Sequence, residues 1–119
     1  MKVGIDLVEV ARFENKNQSF FQRLFSKNEI EYCTSRKNTS QSFAGHFAAK
    51  EAVMKALGAG IDTISFEDIE ILHLSSGKPI VNLFGTAKTL LAQFNIKHIE
   101  ISISHTDGLA TAICFAEEV

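Results

Sequence analysis

The stretch Ser40-Gln-Ser-Phe-Ala-Gly-His-Phe-Ala-Ala-Lys-Glu-Ala-Val-Met-Lys-Ala-Leu57, SQSFAGHFAAKEAVMKAL, closed by Gly58, decides how this 119-residue chain folds. Its alanine content predicts a helix from about Ser40 to Leu57, and Gly58 stands where a C-terminal stop belongs. At 100° per residue, with Phe43 at 0°, Met54 falls at about 20°, Phe47 at 40°, Leu57 at 320° and Val53 at 280°. The opposite side is small rather than polar: Ala52, Gly45, Ala56 and Ala49 lie between about 180° and 240°, which lets another backbone come close. A helix that is apolar or small nearly all round is buried in the middle of a structure.

Three charges interrupt that helix. Lys50 falls at about 340° between Leu57 and Phe43, Glu51 at about 80° beside Phe47, and Lys55 at about 120° between Ala44 and Ala48. Glu51 and Lys55 are four apart in the favourable order, so one reading is a helix salt bridge worth only ~0.2–0.5 kcal/mol. The other is a functional set, because charges in apolar surroundings are costly unless partners or ligands compensate them.

Outward from the helix, Val3 to Val10 reads as a strand, with Asp6 inside its apolar run. Either that carboxylate faces water, or it is paired, hydrogen-bonded or bound to a metal. Phe20, Phe21, Leu24 and Phe25 have helical spacing. Ser26-Lys-Asn-Glu29 has the form of a capping box opening a helix to about Ser35, and Arg36 to Ser40 is a polar loop. Phe66 to Leu74 and Pro79 to Leu83 read as strands around a Ser75–Lys78 turn. A helix from about Thr86 to Phe94 follows. Ile99, Ile101 and Ile103 then alternate along a strand, and Thr106-Asp107-Gly108 turns the chain into a last strand, Leu109 to Phe115.

Composition narrows the function. With 45% apolar residues and one proline, a single domain spanning residues 1–119 is expected. The net charge of −2 offers no basic field for nucleic acid. The first sixty residues hold nine Lys/Arg against six Asp/Glu and the rest three against eight, which suggests a basic surface in the first half. Cys33 and Cys114 form no C-x-x-C pair, so a reducing compartment is the simpler reading. Without a signal-like start or an apolar run near ~20 residues, no membrane segment and a cytoplasmic location are expected.

Ser104-His105-Thr106-Asp107 is not a hydrolase triad, which requires convergence in space rather than adjacency. His105 shares the parity of Ile99, Ile101 and Ile103, and reads either as a hydrogen-bonded histidine at a sheet corner or as a ligand contact at the mouth of a site. No G-x-x-x-x-G-K-[ST] or G-x-G-x-x-G motif is present. Gly58-Ala59-Gly60 is a helix stop first and a close backbone approach to a ligand second.

Together, G-I-D-L-V-E-V-A-R at Gly4–Arg12, F-A-A-K-E-A-V-M-K-A-L-G at Phe47–Gly58, the Gly77-Lys78-Pro79 turn and S-I-S-H-T at Ser102–Thr106 resemble the holo-acyl-carrier-protein synthases. These are the small members of the phosphopantetheinyl transferase superfamily. The resemblance covers essentially the whole chain and implies an α+β fold, an antiparallel sheet packed against the long central helix, and a homotrimer with sites at subunit interfaces. The implied reaction moves 4′-phosphopantetheine from coenzyme A to a serine of apo acyl carrier protein, releasing adenosine 3′,5′-bisphosphate.

By the same resemblance Asp6 and Glu51 are ligands of a Mg²⁺ that also binds the coenzyme A diphosphate. Glu51, directly or through a bound water, takes the serine proton. Lys55 stabilises the leaving phosphate, and Lys50 binds the nucleotide phosphates. Gly58 and Gly77-Lys78-Pro79 form part of the nucleotide pocket, and His105 reaches it from a neighbouring subunit. Arg12 faces the acidic helix of the carrier protein, with Arg23 and Lys27 extending its patch. His46 stands where relatives often carry arginine, so a neutral imidazole there would give up a permanent phosphate contact. Two rivals are a metal-dependent nucleotide diphosphate hydrolase using Asp6 and Glu51, and a non-catalytic carrier-binding module.

Overall fold

The computed structural model describes residues 1–60 and 62–119. The chain opens with strand β1, Lys2–Glu9, and a 3-10 turn at Val10–Phe13. Three helices follow: α1, Gln18–Leu24, α2, Lys27–Ser35, and α3, Thr39–Leu57. A second 3-10 turn at Phe66–Asp68 leads into a hairpin of β2, Ile69–His73, and β3, Pro79–Leu83. Helix α4, Gly85–Gln93, and strands β4, Ile96–Thr106, and β5, Leu109–Glu118, complete the fold. The strand expected from Phe66 thus begins three residues later, after the turn.

Local chemistry sets the helix boundaries. At the start of α2 the Ser26 hydroxyl accepts from the Glu29 amide at 3.1 Å while the Glu29 carboxylate accepts from the Ser26 amide at 2.9 Å; this is the reciprocal capping box that the spacing predicts. The Asn38 side chain caps α3 by accepting from the Gln41 amide. Gly58 ends the helix in the left-handed region, with φ of 69°.

Strands β1, β5 and β4 form an antiparallel sheet in that order, and β2 pairs with β3 in a separate two-stranded sheet. Helix α3 lies on the larger sheet by its small side. A Cβ on Gly4 would overlap the Ala52 carbonyl oxygen and come within 2.6 Å of the Ala56 nitrogen, and one on Gly45 would lie 3.0 Å from Ile103. Its large side packs into a layer of phenylalanines, with ring centroids 4.9 Å apart for Phe25–Phe43, 5.5 Å for Phe13–Phe47 and 5.4 Å for Phe47–Phe66. Burying a phenylalanine side chain contributes about 1.5–3 kcal/mol, so this layer fixes α1, α2 and both 3-10 turns to one helix.

The sheet register places the functional candidates. Rows Gly4–Cys114–Ile101, Asp6–Ala112–Ile103 and Val8–Ala110–His105 run across the sheet. They share the face that α3 covers, where Gly4, Val8, Ala110, Ala112 and Cys114 are buried. Asp6 therefore points toward the helix and not to bulk water. The outer face is apolar instead: Val3, Ile5 and Leu7 are 55%, 61% and 65% exposed, beside Phe115 and Leu109.

Candidate active site

Asp6 meets α3 from the strand below. Its side chain is 14% exposed, and the Lys55 ammonium lies 3.1 Å from its Oδ1 while also donating to the Ile5 carbonyl at 3.0 Å. One helical turn earlier Glu51 is half-buried. Burial first, and then the charge of Asp6, raise its carboxyl above the ordinary value, against the opposing charges of Lys55 and Arg12. Arg12, in the 3-10 turn after β1, lays its guanidinium over the Phe47 ring at 5.0 Å. Strand, turn and helix thereby bring two carboxylates and two cations together.

This set fits a hard divalent cation. Burial and then the Asp6 charge disfavour the ionised form of Glu51, and a cation beside both would relieve that penalty. Among the described residues no group of three or more His, Cys, Asp or Glu side chains could hold a metal ion. Magnesium suits such a sparse set, since it commonly takes one or two protein carboxylates and fills its octahedral shell with phosphate oxygens and water.

A cavity of about 930 Å³ lies on the opposite flank of α3. It is walled by the start of that helix, the end of β4 and the β2–β3 turn, through residues that include Gly77, Pro79 and His105. Its lining contains Arg36, Lys37 and three histidines, and no acid, so it favours an anionic ligand. Asp6 and His105 stand on strands separated by β5, about 10 Å apart at ordinary strand spacing, with α3 seated between them over Ala110 and Ala112. One chain therefore does not bring its own His105 to its own carboxylates.

Lys50 requires a correction. It is buried, and its three donors are consumed by Glu29 Oε1 at 2.6 Å, the Leu24 carbonyl at 2.9 Å and the Phe66 carbonyl at 3.2 Å. It ties α1, α2 and the second 3-10 turn to α3 and cannot reach a phosphate. Burial lowers its readiness to hold a proton, and Glu29 acts against that loss.

The remaining positions are more dispersed. Lys78 is exposed and donates to Glu100 at 3.0 Å, and Gly58 does its conformational work at the helix end, neither of them lining the cavity. Arg23 and Lys27 are exposed on α1 and at the start of α2. His46 is buried at the cavity wall, with Nδ1 3.1 Å from Glu29 Oε2 and Nε2 2.9 Å from His73 Nε2. Sequence reasoning missed His73, Tyr32 and Arg36, which share the cavity wall. Only a polar loop and an unremarkable strand end marked them, because the wall is assembled from α2, α3 and the hairpin.

Against known families, residues 2–114 match the model for the 4′-phosphopantetheinyl transferase superfamily. The chain belongs to this superfamily. It is 45% identical over 117 residues to the holo-[acyl-carrier-protein] synthase of Alkaliphilus oremlandii (strain OhILAs), covering 96% of each chain. With that of Geobacter sp. (strain M21) it shares 42% over 119 residues, covering 96% and 95%. The crystal structure of Helicobacter pylori holo-[acyl-carrier-protein] synthase in complex with coenzyme A superposes with a TM-score of 0.83 and 38% identity, covering 97% of this chain and 99% of that one.

Proposed function

We propose that this chain is a holo-acyl-carrier-protein synthase, transferring 4′-phosphopantetheine from coenzyme A to a serine hydroxyl of apo acyl carrier protein. The observation that carries the reading is the meeting of Asp6, Glu51 and Lys55 at one point between β1 and α3. The serine oxygen attacks the β-phosphorus, the bond to the bridging oxygen breaks, and adenosine 3′,5′-bisphosphate departs.

Asp6 and Glu51 would hold Mg²⁺ together with the diphosphate. When bound, the metal neutralises the diphosphate and orients it for in-line attack. Glu51 takes the serine proton, and its raised affinity for protons moves it toward the range a base at neutral pH needs. Lys55, placed by Asp6 and the Ile5 carbonyl, stabilises charge on the leaving phosphate.

The second half of the site comes from another copy. With α3 standing between the carboxylates and His105, a complete site needs His105 of a neighbouring subunit. The exposed apolar outer face of the sheet supports self-association to a homotrimer, since a patch of Val3, Ile5, Leu7 and Phe115 is costly in water. Gly77 and Pro79 line the cavity for the nucleotide, with Lys78 at its margin. Gly58 ends α3 about one turn beyond Lys55, at the far end of the helix from the cavity. Arg12, Arg23 and Lys27 present cations to the acidic carrier protein.

No helix among the described residues is long and apolar enough to cross a membrane, and both cysteines are free and buried; these support a cytoplasmic enzyme. Intact-mass measurement of apo acyl carrier protein after incubation with this protein, coenzyme A and Mg²⁺ tests the reading. A gain of one phosphopantetheine is expected, and no gain with several apo carriers overturns it. Rapid release of adenosine bisphosphate without carrier would mark a hydrolase instead.

A further inference from the structure

Behind the cavity wall runs a chain of polar groups that the transfer chemistry leaves unused. Glu29 is fully buried, and its two oxygens accept from four donors. Oε1 takes Lys50 and the Ser26 amide, and Oε2 takes His46 Nδ1 and the Ile71 amide at 3.2 Å. Burial alone would raise this carboxyl; the hydrogen bond from His46, the Lys50 charge and its hydrogen bond, and the Ser26 amide reverse the effect and hold it below the usual value. A carboxylate so surrounded accepts only, so His46 Nδ1 carries a hydrogen.

The next link follows by the same accounting. His73 Nδ1 faces the Gly77 carbonyl oxygen at 3.3 Å, which can only accept, so this nitrogen also carries a hydrogen. The two Nε2 atoms then stand 2.9 Å apart. In two neutral rings they would oppose lone pair to lone pair. One added hydrogen between them turns the contact into a hydrogen bond and makes one ring an imidazolium. Burial, with the His46 and Arg36 charges, holds His73 below the ordinary histidine value against the opposing Gly77 hydrogen bond and Glu29 charge. The proton therefore belongs on His46, whose far side faces Glu29. Tyr32 stacks on His73 at 3.9 Å and 7°, and on His46 at 5.5 Å, fixing both ring planes.

We propose that Glu29, His46 and His73 are positioning residues for the phosphate-bearing end of the coenzyme: Glu29 holds His46 as an imidazolium, His46 orients His73, and His73 fixes Gly77 in the turn that walls the cavity. The proposal rests on the transferase reading of the cavity.

The charged and titratable groups facing this chain come from every element around it. Helix α2 supplies Glu29, Tyr32 and the Cys33 thiol, which burial pushes up to about 12 and so keeps neutral, and the loop after it supplies Arg36 and Lys37. Helix α3 supplies Lys50, β2 supplies His73 and Glu70, and β4 His105. Glu29 and Glu70 balance Lys50 and the His46 imidazolium, so that losing the charge on His46 leaves the group behind the wall negative. An anionic ligand in the cavity is better tolerated with the His46 charge in place than without it.

Long-range ¹H–¹⁵N correlation of the imidazole nitrogens in the ligand-free wild-type protein at pH 7.5 tests the protonation directly. Hydrogens on both nitrogens of His46, and on Nδ1 alone of His73, are expected; a His46 with a bare Nε2 overturns the proposal. In His46→Gln, loss of the charge should raise KM for coenzyme A about tenfold, the scale of a unit charge near 10 Å at an effective dielectric of 20, with kcat within about twofold. A fall in kcat at unchanged KM overturns it. Should that variant fail to fold, the nitrogen correlation still decides, and it does so even if the wild-type protein transfers nothing to a carrier.

Discussion

Lys55 Nζ lies 3.1 Å from Asp6 Oδ1, joining a strand carboxylate to the helix that also carries Glu51. The contact exists because Gly4, two residues before Asp6, lets β1 approach the Ala52–Ala56 face of α3 at backbone distance. The fold's tightest packing and its candidate chemistry are therefore one feature, and substitutions at either should be felt at the other.

Glu51→Gln separates stability from function. Burial and the Asp6 charge raise Glu51 above its reference of 4.5, so the folded state holds that proton more tightly than the unfolded chain. Ionisation then weakens the fold as pH rises through the window above 4.5. At pH 7.5 the variant should show a higher Tm, while transfer to apo carrier falls about 10²–10⁴-fold for loss of a general base. Calorimetry and the mass assay read the two effects. Full activity would end the assignment of the base, and an unchanged or lower Tm would end the electrostatic account.

Lys50→Met tests the buried ion pair. Removing one partner of such a pair costs about 3–5 kcal/mol, readable by urea denaturation. A phosphate-binding lysine would instead weaken coenzyme A binding at little cost in stability. The pair also predicts an acid limit. Glu29 is held below 4.5, so its contribution is present above that pH and is lost as pH falls from there through its folded value.

Gly4→Ala should destabilise by about 2–3 kcal/mol or more, since the added methyl overlaps backbone rather than a movable side chain. Denaturation midpoints check this. Transfer should fall too, because separating β1 from α3 pulls Asp6 away from Lys55 and Glu51. A neutral substitution would contradict the close approach.

Leu7→Lys places a charge on the exposed apolar face of β1 without touching the Asp6 row. Sedimentation equilibrium should show the wild-type protein as a trimer and the variant shifted toward monomer, with transfer lost as well. An active monomeric variant would show that one chain holds a complete site.

Most of the architecture was legible in local pattern. The alanine-rich run with its glycine stop marked α3, the Ser26–Glu29 spacing marked α2, and the alternating isoleucines marked β4, because each depends on neighbours within a few residues. Lys50 was not legible. On a helical wheel its position beside Phe43 and Leu57 fits a phosphate ligand as well as a buried cation. What separates the two is Glu29, twenty-one residues away on another helix. His73 was missed for the same reason, since its partners lie on α2, α3 and a turn.

By itself the sequence determined the helix with one small and one large side, the strand with an acid in it, and the charges at Glu51 and Lys55. Those follow from period, size and capping, which act locally. Tertiary structure alone decided that Asp6 faces inward, that Lys50 is spent on Glu29, and that α3 stands between the carboxylates and His105. Each depends on which side of a strand meets which side of a helix, and that is settled by where Gly4 and the alanines of α3 permit two backbones to touch.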